Sequence, residues 1–103
     1  MKFAIIIQAR AGSKRFPKKI LAKIDQRNVL EFLVDRLLQT FSKNIIIIAT
    51  TKFKRDNIIC NFSKKKKINF FRGHESNVLK RYLDCAKKFK VKNIIRITSD
   101  CPL

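Results

Sequence analysis

Four short apolar runs divide the chain: Phe3-Ala4-Ile5-Ile6-Ile7, Ile45-Ile46-Ile47-Ile48-Ala49-Thr50, Ile68 to Phe71, and Asn93-Ile94-Ile95-Arg96-Ile97-Thr98. Each is strand-sized and rich in β-branched or aromatic residues. The first two are apolar on both faces, as expected of strands covered on both sides. Between the runs the apolar period changes to that of a helix. Val29, Leu30, Leu33, Val34, Leu37, Leu38 and Phe41 form a wide stripe, with Glu31, Asp35, Arg36 and Gln39 on the wet side. Asn28 is the expected N-cap of this helix, with Glu31 three positions on. A short helix is expected over residues 56–63, with Ile58, Ile59 and Phe62 inward, followed by a solvated run from Lys64 to Lys67. A third helix, capped by Ser76 or Asn77, is read with Val78, Leu79, Tyr82, Leu83, Ala86 and Phe89 inward and Lys80, Arg81, Lys87 and Lys88 outward. Residues 9–19 and Arg72-Gly73-His74-Glu75 are loops.

Strand and helix alternate throughout, so the strands run parallel through right-handed crossovers. The expected fold class is α/β: a parallel doubly wound half-sheet in the order 3-2-1-4, with helices on both faces. In that order the winding reverses between strands 1 and 4, and a crevice opens at their carboxyl ends. The loop after strand 1 is 9–19, and the loop after strand 4 begins at Ser99-Asp100. Two segments about ninety positions apart in sequence should therefore meet.

Composition narrows the class. With 103 residues and 46% hydrophobic content, the chain is one domain at most and has enough apolar material for a core. No apolar run reaches the roughly 18 residues of a membrane span, and the N-terminus lacks the shape of a signal peptide. Cys60, Cys85 and Cys101 are widely spaced and form no C-x-x-C motif, so buried thiols in a reducing, cytoplasmic setting are expected. The net charge of +18 invites a polyanionic partner. The basic residues are spread from Lys2 to Arg96, however, and the excess of Lys, Ile, Asn and Phe matches the bias of an AT-rich genome. Nucleic acid therefore ranks second as an explanation of the charge.

The chemistry concentrates in Gln8-Ala9-Arg10-Ala11-Gly12-Ser13-Lys14-Arg15-Phe16-Pro17-Lys18-Lys19. An apolar strand that opens into a basic, glycine-containing loop presents amides and cations to phosphate. Neither G-x-x-x-x-G-K-[ST] nor G-x-G-x-x-G is present, since Gly12 and Gly73 are the only glycines. Gly12 permits close approach of backbone to ligand, Ser13 offers a hydroxyl, and Arg10, Arg15 and Lys19 can offset the charge of a triphosphate. Asp100, one of seven acids, stands at the expected crevice, where a carboxylate beside a triphosphate would hold Mg²⁺. His74, the single histidine, reads as a polar loop residue rather than a base.

These residues resemble the opening motif of the cytidylyltransferases that activate sugar acids. The similarity is greatest to the spore coat polysaccharide biosynthesis protein F branch, related to acylneuraminate and ketodeoxyoctonate cytidylyltransferases. Phe71-Arg72-Gly73, Asn77-Val78-Leu79-Lys80-Arg81-Tyr82 and Arg96-Ile97-Thr98-Ser99-Asp100-Cys101-Pro102-Leu103 resemble that branch in the same order. The resemblance implies a nucleotide-diphospho-sugar transferase (Rossmann-like) fold and Mg²⁺-assisted transfer of CMP from CTP to a sugar hydroxyl, with loss of pyrophosphate. It places Ala9, Arg10, Ala11, Gly12, Ser13, Arg15 and Lys19 at nucleotide-binding positions, with Arg15 and Lys19 in the catalytic role of neutralising the leaving charge, and Asp100 at the metal. Ser99 and Lys18 both stand where that branch usually has Gly.

Family domains extend well past the Asp-Cys-Pro-Leu motif at which this chain ends. The expectation is thus a truncated, nucleotide-binding portion over residues 1–103 that lacks the acceptor-sugar portion. Its expected partners are CTP, a sugar acceptor, and a second copy or a complementing C-terminal chain. Strand 4 would then be an exposed edge carrying Ile94, Ile95 and Ile97. Two other readings compete: a basic nucleic-acid-binding module and an inactive remnant.

Overall fold

The computed structural model describes residues 2–10 and 26–98, with only the backbone for 26–29. Strands β1 (Phe3–Gln8), β2 (Ile46–Thr51), β3 (Asn69–Gly73) and β4 (Asn93–Thr98) form one parallel sheet in the order β3-β2-β1-β4. Helices α1 (Gln26–Leu38), α2 (Asn57–Lys66) and α3 (Val78–Lys88) connect them. The doubly wound order expected from the alternation of periods is the order observed.

The strand pattern explains the layering. Successive side chains of a strand point to opposite faces, so the isoleucine runs of β1 and β2 feed two cores at once. Ile5, Ile7, Ile46 and Ile48 pack with Leu30, Leu33 and Val34 of α1 and with Ile59 and Phe62 of α2. Ala4, Ile6, Ile47 and Ala49 face the other way, against Tyr82, Cys85 and Ala86 of α3. A fully buried isoleucine contributes about 1.5–3 kcal/mol relative to an exposed one. The six buried isoleucines of these strands therefore outweigh the surface ion pairs between α1 and α2. In those pairs Lys66 Nζ lies 3.2 Å from Glu31 and 3.5 Å from Asp35, with both carboxylates about half exposed.

Several boundaries differ from those expected. Helix α1 begins at Gln26, so Asn28 lies inside it and is not its cap. A 3-10 turn over Lys54–Asp56 leads into α2, which runs on through Lys66. Lys64, Lys65 and Lys66 are thus the last turn of a helix, where cations complement the exposed carbonyls. Lys67 ends the helix in the left-handed conformation at φ 60°. Within α2, Ile58 is exposed, while Cys60 and Ser63 turn inward with Ile59 and Phe62. Ser63 is satisfied by donating from Oγ to the Ile59 carbonyl at 2.9 Å. Strand β3 extends to Gly73, so Arg72 and Gly73, read as loop, pair with Thr50 and Thr51.

The largest correction concerns α3. Asn77 caps it as expected, its Oδ1 accepting from the Lys80 amide at 3.0 Å. But Val78, Leu79 and Leu83 are 41%, 57% and 57% exposed, whereas Arg81, expected outside, is 1% exposed. The buried stripe is Arg81, Tyr82, Cys85 and Ala86. Two small residues in that stripe meet Ala4 and Ala49 on the sheet. The arginine is buried because oxygens at the end of the sheet receive it, as set out below.

Strand β4 pairs with β1, and among the described residues its other side carries no strand. Ile95 is 41% exposed there, in keeping with the expected edge.

Candidate functional site at the carboxyl end of the sheet

The parallel register brings the ends of β1 and β4 together. Gln8 stands opposite Ala49 on one side and Thr98 on the other. The Ala9 amide adds one more bond to the Ala49 carbonyl at 3.0 Å. Ala9 is buried, and Arg10 is the first exposed residue of the loop. The segments that begin at residue 9 and at residue 99 therefore start side by side, at the point where the winding of the sheet reverses. Of the residues singled out from sequence, the structure describes Ala9 and Arg10. Ala11, Gly12, Ser13, Arg15, Lys19 and Asp100 lie outside the described residues.

Two further loops border this edge. After β2, the Thr51 hydroxyl donates to buried Asp56 and accepts the Phe53 amide at 3.1 Å. Arg72 fastens the same turn: Nε donates to the Thr51 carbonyl at 2.8 Å, Nη1 to Asn57 Oδ1 at 2.7 Å and Nη2 to the Phe53 carbonyl at 2.7 Å. After β3, His74 Nδ1 accepts the amides of Ser76 at 3.2 Å and Asn77 at 2.9 Å. The imidazole thus occupies donors that α3 leaves free at its N-terminus, and its proton is assigned to Nε2. This agrees with its reading as a loop residue.

Arg81 reaches the site from below. Its Nη1 donates to Gln8 Oε1, its Nε to the His74 carbonyl at 2.7 Å and its Nη2 to the Glu75 carbonyl at 2.8 Å. Burial holds its pKa below the ordinary value, and the charge of Arg10 adds to that effect, while Asp56, Tyr82 and Glu75 pull the other way. Guanidinium stays charged in proteins, so two cations share this edge of the sheet. An edge with that field favours an anionic ligand. Sequence reasoning missed both Arg81 and Gln8. The available signal was Gln8 itself, a polar residue ending a strand buried on both faces, whose amide had to find a partner.

Cys60 and Cys85 are buried free thiols. Burial raises both pKa values, that of Cys85 to about 12, so neither is poised as a thiolate nucleophile. Among the described residues no group of three or more His, Cys, Asp or Glu side chains could hold a metal ion. Among the same residues no helix is long and apolar enough to cross a membrane.

Fold and site together define a parallel α/β protein whose candidate site lies at the switch point beside β1. The chain belongs to the cytidylyltransferase family, whose model matches residues 4–103. It is 44% identical over 103 residues to an uncharacterized protein of Methanocaldococcus jannaschii, covering all of this chain and 42% of that protein. It is 36% identical over 101 residues to the spore coat polysaccharide biosynthesis protein SpsF of Bacillus subtilis, covering 94% of this chain and 42% of that one. A 64-residue match at 36% identity joins it to a 3-deoxy-manno-octulosonate cytidylyltransferase of Alteromonas mediterranea, over 62% of this chain and 25% of that one. Among solved structures, a cytidylyltransferase from Leptospira borgpetersenii superposes with a TM-score of 0.81 at 38% identity, over 99% of this chain and 43% of that one. The chain thus spans about two-fifths of the length of the first two relatives, 42% in each case.

Proposed function

We propose that the chain binds CTP at the carboxyl end of β1 and forms the nucleotide-binding portion of an enzyme that transfers CMP to a sugar acid or related sugar. In the reaction a sugar hydroxyl attacks the α-phosphorus of CTP and gives up its proton to solvent, the bond from that phosphorus to the β-phosphate oxygen breaks, and pyrophosphate leaves with the displaced electron pair. The observation that carries the reading is the pairing of Gln8 with Thr98 in a chain of the cytidylyltransferase family. It starts the basic segment and the segment containing Asp100 from one spot. In this reading Arg10, Ser13, Arg15 and Lys19 hold the triphosphate, and the backbone of Ala9, Ala11 and Gly12 lies against the nucleotide. Arg15 and Lys19 stabilise the charge that grows on the leaving pyrophosphate. Mg²⁺ belongs to the same proposal: Asp100 would hold it, and the ion would offset further phosphate charge. The relatives' names support a sugar acceptor of polysaccharide synthesis. We assign the acceptor site to parts of the enzyme beyond these 103 residues, and the reaction to the cytoplasm.

Calorimetric titration of CTP with Mg²⁺ and with a chelator tests this. Wild-type protein is expected to bind CTP more tightly with the metal. Asp100→Asn should remove the metal dependence, and Lys19→Ala should weaken binding by about tenfold, on the scale of one lost charge-assisted contact. If both variants behave as wild type, the site is wrongly assigned. A random oligonucleotide that binds tightly with a steep salt slope, in a protein indifferent to CTP, would replace this reading with nucleic-acid binding.

A further inference from the structure

We propose that Arg81 is a positioning residue for the nucleotide loop, acting through Gln8 to fix the direction in which the chain leaves β1. The inference rests on the nucleotide reading above, but its geometry lies wholly within the described residues. Gln8 is the last residue of β1, and its backbone is held in register by a strand on either side. The residue is 9% exposed, and its side-chain oxygen accepts from the Arg81 guanidinium. Ala9 and Arg10, the first two residues of the expected triphosphate loop, follow at once. Whatever holds Gln8 therefore sets where Arg10 begins.

Arg81 is built for that task in three respects. Its planar fork donates to three oxygens on two different segments, the Gln8 side chain and the His74 and Glu75 carbonyls. A lysine ammonium is a single point with no such fork. The segment it grasps is itself fixed, because His74 Nδ1 ties the Ser76 and Asn77 amides to the start of α3. Its route across the sheet is open only because residue 73 is glycine. A Cβ on Gly73 would lie 2.9 Å from Arg81 Cγ and 2.6 Å from Phe71 Cε2. A guanidinium 1% exposed, far from the helix face that hydrophobicity alone would bury, is costly unless its donors are met. Here they are met by the groups that border the candidate site. Arg81 touches no ligand in this account. It holds Gln8, two residues before Arg10, and adds its charge to that of Arg10.

The test pairs two readouts on Gln8→Leu, Gln8→Glu and Arg81→Lys. The first is amide hydrogen exchange at Ala9, whose bond to Ala49 reports directly on the strand end. The second is the Kd for CTP with Mg²⁺, measured well below each variant's Tm. Gln8→Leu and Arg81→Lys are expected to speed Ala9 exchange and weaken CTP binding, each by tenfold or more. Gln8→Glu keeps an acceptor for the guanidinium and should recover most of both losses. Lys87→Ala, on the exposed side of the same helix, serves as the control. If Arg81→Lys fails to fold, the two Gln8 variants decide the matter. A lowered Tm with Ala9 exchange and CTP affinity at wild-type values would make the contact merely structural and overturn the proposal. If wild-type protein binds no CTP, the nucleotide reading falls, and the exchange data alone decide whether Arg81 fixes the strand end.

Discussion

Thr50 shows how a single atom can be read for consequence. It is fully buried at the end of β2, and its hydroxyl has no hydrogen-bond partner among the described residues. A buried hydroxyl without a partner costs about 1–3 kcal/mol. Thr50→Val removes the hydroxyl and keeps the branched shape, so it should stabilise the protein by about 1 kcal/mol. The denaturant midpoint at unchanged slope measures this. A loss of stability instead would show that the hydroxyl is bonded to a residue outside those described. At this scale the sequence told unequal amounts. The isoleucines of β1 and β2 declared themselves, because a β-branched run apolar on both faces has few other uses. The Gln8–Arg81 contact did not, because it joins positions 73 apart, and no local pattern encodes such a pairing. The chemistry proposed for Ser13, Arg15, Lys19 and Asp100 came from motif resemblance together with charge and residue type.

At the scale of elements, α3 is the instructive case. Its apolar residues can be assigned to two overlapping stripes, one through Val78, Leu79 and Leu83, the other through Tyr82, Cys85 and Ala86. The sequence pattern, read with Val78, Leu79 and Leu83 inward beside Tyr82 and Ala86, weights the larger aliphatic side chains, and the structure takes the second stripe. The second stripe brings two small residues against Ala4 and Ala49 and delivers Arg81 to its acceptors. Hydrophobic periodicity weighs side chains one at a time and cannot register either benefit. It follows that Leu83→Gln, at a position 57% exposed, should change stability by no more than about 0.5 kcal/mol. Were Leu83 part of the core, the same change would cost about 2 kcal/mol or more. Chemical denaturation distinguishes the two outcomes directly. The start of α1, the end of α2 and the extent of β3 were misread for a related reason. Polar residues such as Asn28, Lys64 and Arg72 resemble caps and loops in isolation, yet the sheet and helices extend through them where tertiary contacts repay it.

For the molecule as a whole, the two buried thiols give the fold an alkaline liability. Burial lifts Cys85 from the ordinary 9.0 to about 12 and raises Cys60 as well. Between pH 9 and 12 the unfolded chain releases the Cys85 proton while the folded chain retains it. Stability therefore falls as pH rises through that window and is unaffected below it, since both states then carry the proton. Comparing denaturant midpoints at pH 8 and pH 10 should show a smaller alkaline loss in Cys85→Ala than in wild type. An equal loss in both would mean that Cys85 does not carry the effect. The overall architecture was the most legible level of all: the alternation of two periods implies a parallel sheet, and the simplest order for it, 3-2-1-4, is the one observed. That the two chemical segments depart from neighbouring strand ends, Gln8 and Thr98, then follows from topology without any local signal linking them.

The order β3-β2-β1-β4 also carries a temporal consequence. Among the described strands β1 is flanked by the second and by the fourth, so one side of β1 has no strand partner until Asn93–Thr98 has been synthesised. At ordinary rates of translation that interval is about five to twenty seconds. Over the same interval β1 presents Ala4, Ile5, Ile6 and Ile7, backbone and side chains alike, to any other strand nearby. Among the described strands the middle of the sheet is thus closed late, and the nascent chain is open to mispairing at the strand from which the basic loop departs.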